Sequence, residues 1–411
     1  MGRRFYLYIL GRLVSIIGTG VQMLALPLYV LDISKSAAVM GGFVAVTTLP
    51  SIIFLPFFGV IADKKNKKNI MVLSDILSGI TTLFMFLTIF FNFNSIYILG
   101  FLQMILLLIN SFFYSSTMAF FGEIVQEKDL QKASSISETN NNIAKLGAPF
   151  LGGIIYMAYG IKLIFLINSI SFFISALLEK FIKYEFKKVE NNNKLKLKNF
   201  IEDIKETLIY INSYLDLKEV VILAIFLNLF VMPLFSVVLP YGLRVVLKVN
   251  SSEYGIIETI FALGTIVGSL VYGMLNNKVK FKKYYLLGAF FIILFIYGIS
   301  FNIGIKNVFM LSSIFFMIFS LMITIINLPL MVEFQKLVDN KIKARFFSIF
   351  MFLSQILVPL TSYLFGLMVS KINIYLFIYF ISISSIIFLL IMKKRYEFIR
   401  KIEMLKINKE Y

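Results

Sequence analysis

Apolar stretches of about twenty residues recur twelve times along the chain, each bounded by Lys, Asn, Glu or turn residues, with short connections between them. A helix needs about 20 residues to cross roughly 30 Å of hydrocarbon, so this spacing dictates a polytopic membrane protein. The stretches read as 6–31, 38–62, 70–91, 95–118, 141–160 and 163–182, then 219–242, 254–275, 284–301, 306–330, 347–370 and 373–392. Hydrophobic types make up 59% of the 411 residues and charged types 15%, too few charges to cover so apolar a core in water. The opening Met1 to Arg4 and its apolar continuation resemble a signal peptide. The run is long and has no small-x-small cleavage pattern, so an uncleaved first helix is expected. The chain has no Cys and no His, which excludes disulfides, thiolate or imidazole metal sites, and imidazole acid–base chemistry. No G-x-x-x-x-G-K-[ST] loop occurs, so ATP is not expected to act within this chain. No cofactor, no metal and no enzymatic activity are expected.

The net charge is +18. In a soluble protein that excess suggests nucleic acid, but here its location decides. With twelve spans both termini lie on one side, and 32 of the 40 Lys and Arg fall in the connections and tails of that side. The opposite connections hold Lys35, Lys162, Arg244, Lys248, Lys306 and Lys371. The positive-inside rule then puts both termini in the cytoplasm of a cell-membrane protein. The basic face meets anionic lipid, and no nucleic-acid partner is needed. The longest internal connection, 183–218, divides the chain into a six-helix bundle over 1–182 and another over 219–392, with a basic cytoplasmic tail at 393–411. Within it, Phe200, Ile201, Ile204, Leu208, Ile209 and Ile211 predict a short amphipathic helix on the membrane surface.

The halves carry a weak internal repeat. Gly41 precedes Gly59 by the same interval as Gly255 precedes Gly273, and a loop with four lysines follows each second glycine. Both copies fall between the second and third spans of their half, as expected of a transporter with pseudo-two-fold symmetry. In the first copy Gly59 allows close helix approach. Asp63 offers a carboxylate to a helix N-terminus or a basic partner, and Lys64, Lys65, Lys67 and Lys68 hold the loop at the inner leaflet.

That loop resembles the signature loop of the major facilitator superfamily. The stretch from Gly11 to Asp75 is similar to the bacterial macrolide-efflux branch: Gly11 and Arg12, Ala25 to Pro27, Ser36, Ala37 and Gly41, Pro50, then Gly59, Ala62, Asp63 and Lys64, then Ser74 and Asp75. Glu127, Asp129, Leu130 and Ala133 with Gly147, Pro149, Gly152 and Gly153 form a second patch. Ala344, Arg345, Phe346, Phe347 and Ser348 form a third. Lys64 stands for the usual Arg, Thr19 where the branch often has Asp, and Ala344 for Gly. The resemblance implies an all-α fold of twelve transmembrane helices in two pseudo-symmetric six-helix bundles. It also implies secondary transport by alternating access, with protons exchanged for lipophilic compounds such as macrolides, by a monomer.

The resemblance further implies that spans 1, 4, 7 and 10 line a cavity. Span 1 carries Arg12, Ser15, Thr19 and Gln22 on one helical face, and span 4 carries Gln103, Asn110, Tyr114 and Thr117. Span 10 has Ser320, Thr324 and Asn327, span 7 has Asn228 and Ser236, and span 11 adds Ser348, Gln355 and Ser362. Substrate-cavity candidates are Thr19, Gln22, Gln103, Asn110, Tyr114, Asn228, Thr324, Asn327 and Gln355. Helix glue is the competing role of such groups. Gating or coupling candidates are Arg12, Gly59, Asp63, Lys64, Lys68, Asp75, Lys145, Gly147, Pro149, Gly153 and Glu258. Arg12 and Asp75 are expected to form part of a gating network with Asp63, with structural pairing or snorkelling as the alternative. Lys145 meets Glu123 or Glu138, or snorkels. Glu258, about one turn into span 8, is the preferred carboxylate for protonation or for a cationic substrate. The alternative function is import or export of a specific polar metabolite, which favours more paired charge at mid-membrane than the spans contain.

Overall fold

A computed structural model describes residues 3–125, 129–184, 197–274, 283–303, 307–338 and 343–410, and all regular structure among them is helical. The first helices are α1 (Arg3–Ser34), α2 (Ala37–Lys64), α3 (Lys67–Phe90), α4 (Ile96–Ile124) and α5 (Leu130–Lys180). Then come α6 (Leu197–Ser213), α7 (Leu215–Pro233), the single turn α8 (Leu239–Tyr241) and α9 (Ser251–Met274). The rest are α10 (Lys283–Ile303), α11 (Val308–Leu337), α12 (Lys343–Ile356), α13 (Val358–Lys371) and α14 (Ile374–Glu410). Ten segments among the described residues are long and apolar enough to cross a membrane. The second arm of α5 and the shorter apolar helix Tyr284–Ile299 complete the twelve crossings of a two-bundle polytopic fold.

Connections are tight because polar side chains stop the helices on the spot. Ser36 caps α2 by accepting from the Val39 amide, Asn66 caps α3 through the Asn69 amide, and Ser95 caps α4 through the Ile98 amide. The fifth and sixth spans have no loop between them. At Gly160 the backbone takes φ 72°, a left-handed conformation that glycine adopts freely, and α5 turns back there. Both arms lie along α1. Ile9, Gly20 and Val21 meet Asn140, Ala148 and Gly152 in the outgoing arm, while Gly18 and Gly11 meet Ser171 and Ser175 in the returning one.

Other ends differ from the sequence expectation. The seventh span runs on to Val246 through two widened segments, Leu234–Val238 and Gly242–Val246, next to Pro233 and Pro240, which lack the N–H that a regular turn uses. The eleventh breaks at Leu357, just before Pro359. The twelfth continues as helix to Glu410. The amphipathic helix expected in the central connection is α6; residues 185–196 lie outside the described part, as do 275–282 of the second basic loop.

The chain divides into two compact units. One contains the described residues up to 184 together with Leu243–Thr259; the other contains Leu197–Gly242 and the described residues from Ile260 onward. In the first, α1 and α3 pack on α5, and α2 packs on α4. Its outward side chains include Leu73, Phe84, Ile170 and Leu177. In the second, α10 packs along α14, and α7 against α11, α12 and α13. Phe226 stacks on Phe388 at 4.7 Å, and Phe290, Tyr297 and Phe319 fill the centre. Leu360, Phe380 and Leu390 face outwards. Surfaces this apolar suit lipid. Lipid tails give no hydrophobic drive between helices, so close packing and ring edges, about 0.5–1.5 kcal/mol per aromatic pair, hold the helices together within each unit.

Candidate functional site

Three polar centres lie along the first unit. The one farthest from the N-terminus is built on the last turn of α1 and the widened end after α8. Arg244 donates through Nη2 to both Asp32 oxygens, at 2.7 and 2.5 Å, and through Nη1 to the Val249 carbonyl at 2.6 Å. Tyr156 donates to the same carboxylate at 2.9 Å, and the Lys35 ammonium lies 3.9 Å from it. Beneath this knot α5 and α9 touch backbone to backbone. A Cβ on Gly153 would lie 2.6 Å from the Ser251 carbonyl oxygen, and one on Gly255 2.5 Å from that of Pro149. Thr259 donates to the Leu146 carbonyl at 3.4 Å. Glu258 is half-buried nearby and accepts from the Tyr254 hydroxyl at 2.8 Å.

At mid-height, Gln22 donates to Gln103 at 3.1 Å and accepts from Asn168 at 2.7 Å, with the Met85 sulfur 3.5 Å from its amide nitrogen. All three amides are buried. The structure therefore turns Gln22 and Gln103 into the bundle, where their amides satisfy one another, because an unpaired amide among apolar helices is costly. Thr19 is half-buried, and Asn110, also half-buried, accepts from Ser78 at 3.4 Å. Tyr114 is exposed. In the second unit Asn228 donates to the Ala224 carbonyl and Thr324 to that of Ser320, while Asn327 and Gln355 are exposed.

The third centre lies at the end that carries the N-terminus. Lys67, itself buried, pairs with Glu123 at 2.8 Å, and Tyr184 donates to the same carboxylate. Lys68 donates to the Lys180 carbonyl at 2.8 Å, joining the start of α3 to the end of α5. Arg12 donates to the Tyr8 hydroxyl at 2.8 Å. Asp75 and Glu179 lie between the Lys68–Lys180 and Ser169–Gly79 hydrogen bonds that join α3 to the returning arm of α5, and Asp75 has the Ser175 hydroxyl beside it. Lys145 meets neither expected carboxylate: Glu123 is held by Lys67, Glu138 accepts from Asn141, and Lys145 is exposed. The side chains of Asp63 and Lys64 and the surroundings of Gly59 lie outside the described residues, as do the side chains of Arg345 and Ser348. Gly147 has open space around it, unlike Gly153.

Asp32, Arg244 and Glu179 were not among the sequence candidates. Glu179 had a legible signal. Asn168, Ser171, Ser175 and Glu179 form a stripe at steps of three and four on the returning arm of α5, and all four are buried. Asp32 and Arg244 are far apart in sequence, and nothing in either span announces the pairing.

Polar centres enclosed by apolar helix bundles are what a transporter of the major facilitator type presents. The chain belongs to the transmembrane secretion effector family, whose model matches residues 4–406. An uncharacterised MFS-type transporter of Bacillus subtilis, YvqJ, is 24% identical over 361 residues, 87% of this chain and 84% of its own length. Macrolide efflux protein A of Streptococcus pyogenes is 21% identical over 277 residues, 67% of this chain and 68% of its own. Among solved structures, a bacterial homologue of the iron transporter ferroportin in an inward-facing state superimposes with a TM-score of 0.74 at 15% identity, covering 96% of this chain and 98% of that one.

Proposed function

We propose that the chain is a secondary active exporter of lipophilic compounds such as macrolide antibiotics, driven by proton exchange through alternating access. It sits in the cell membrane as a monomer with both termini in the cytoplasm and its basic connections on anionic lipid. The observation that carries this reading is the knot of Asp32, Arg244 and Tyr156 above the Gly153–Gly255 contact. An ion pair and a bare backbone contact make a junction that closes firmly and still releases, which a carrier needs at each turn of its cycle. The likeness to macrolide efflux protein A supports the substrate class. The cavity is assigned to Thr19, Asn110, Tyr114, Asn228, Thr324, Asn327 and Gln355, and Glu258 is the first candidate for a cationic substrate or a coupled proton.

The test is erythromycin accumulation in a drug-sensitive host expressing the chain, with and without a protonophore. Lower accumulation that the protonophore abolishes is expected. Accumulation equal to that of the empty host, with the protein verified in the membrane, would remove macrolides from the reading. Equal export by Glu258→Gln would remove that residue from coupling.

A further inference from the structure

The returning arm of α5 carries a carboxylate that nothing above uses. Glu179 is 1% exposed, and neither of its oxygens has a hydrogen-bond partner among the described residues. Asp75, on α3, is 2% exposed, and its Oδ2 is likewise without one. Both lie where α3 packs along the returning arm of α5, between the hydrogen bond from Lys68 to the Lys180 carbonyl and the one from Ser169 to the Gly79 carbonyl, each at 2.8 Å. Ser175, one turn before Glu179 and on the same face, is buried with its hydroxyl beside Asp75.

The charges around the pair are committed elsewhere. On α1, Arg12 is turned to the Tyr8 hydroxyl at 2.8 Å, and Tyr8 is the group there that feels Glu179. On α3, Lys67 is engaged by Glu123 of α4, and Lys68 by the carbonyl of Lys180. No ion pair joins Asp75 or Glu179 to a cation among the described residues. Two anions packed side by side with no counter-charge are untenable in so apolar a setting, because burial strips each of its water and nothing replaces it. No third acidic or metal-binding side chain joins them among the described residues, so they do not form the many-liganded oxygen cage that a calcium ion takes.

We propose that Asp75 and Glu179 together form a proton-binding site, holding one exchangeable proton between two carboxyl groups inside the first unit. Its role in transport rests on the proton exchange proposed above; its existence does not. With the proton in place, the pair carries a single negative charge and one carboxyl O–H is available to the other oxygens or to Ser175. When the proton leaves, two like charges face each other across α3 and α5, the contact weakens, and the cost is relieved by admitting water or by separating the helices. Proton loss is thereby linked to the packing of the arm that follows Gly160.

The site is tested on the purified full-length chain in lipid vesicles by infrared difference spectroscopy, following the carbonyl stretch of protonated carboxyl groups from acidic to alkaline buffer. Wild type is expected to lose such a band as the buffer becomes alkaline. Glu179→Gln is expected to lack the band and to melt at the wild-type temperature, since Gln mimics the protonated acid; Asp75→Asn is expected to change its position or its pH dependence. A band that survives unaltered in both variants, or one that disappears only in Glu258→Gln, overturns the proposal. If Glu179→Gln does not fold, Asp75→Asn alone decides. Erythromycin export into vesicles under a pH gradient separates the two levels. A wild type with the band and no export contradicts the macrolide reading and leaves the site standing, whereas export that remains fully gradient-driven in Glu179→Gln removes the site from coupling.

Discussion

Arg244 grips both oxygens of Asp32 while Tyr156 donates to the same carboxylate, so one aspartate at the end of α1 organises three segments distant in sequence. The Arg244 side chain is 12% exposed and that of Asp32 25%, so water screens the pair only partly. Removing one partner of a buried pair costs about 3–5 kcal/mol; the residual exposure puts the expected loss near the lower figure. Arg244→Ala and Asp32→Ala should each lower the melting temperature of the purified protein, and the double variant should lose much less than the sum. Strict additivity would mean that the two side chains do not cooperate.

The glycines of the fifth span should separate into two classes. Gly153→Ala places a methyl against the Ser251 carbonyl and the Gly255 Cα, a clash of the overpacking kind worth about 1–3 kcal/mol. Gly147→Ala meets open space and gains helix propensity, up to about 1 kcal/mol. Opposite shifts in thermal stability are expected, and a Gly153→Ala protein as stable as wild type would refute the close contact.

Gln22→Leu should reveal what the central amides do. It strands the Asn168 donor and unpairs Gln103, at a cost of about 1–3 kcal/mol for each buried group left unsatisfied. The expected result is a lower melting temperature and, under the proposed function, an unchanged order of preference among macrolides. A changed preference at unchanged stability would return Gln22 to the cavity.

Alkaline pH should probe the third centre. Burial, and then the Glu123 carboxylate to which it donates, hold the Tyr184 phenol above its ordinary value of 10.0. The unfolded chain ionises this phenol at about 10 while the folded chain keeps it neutral. The stability it lends is therefore complete below that pH and is lost as the pH climbs past it. Tyr184→Phe should lose stability less steeply than wild type in that range, and identical slopes would show that Tyr184 makes no such contribution.

Much of the architecture is legible before any coordinates. Span length and the charges between spans fix the helices, because lipid forbids any other economical way to satisfy a backbone. The amphipathic spacing from Phe200 to Ile211 likewise anticipates α6. Side-chain roles are less legible. A stripe such as Thr19 and Gln22 fixes a face of α1, but not whether that face meets a chamber or another helix; here Gln22 meets Asn168 of α5. Glu179 was readable as the end of a polar stripe, whereas the Asp32–Arg244 pair depends on tertiary placement that no local pattern encodes.

The loop-free reversal at Gly160 has a further consequence. Because both arms of α5 are indexed against α1, one extra residue beside Gly160 would rotate an arm by about 100° about its own axis. Asn168, Ser171, Ser175 and Glu179 would then swing together away from the partners they face. Point changes in this hairpin can be absorbed one contact at a time, but a single-residue insertion or deletion throws the whole register out at once, so relatives that keep the polar stripe should also keep the length of the chain across the bend.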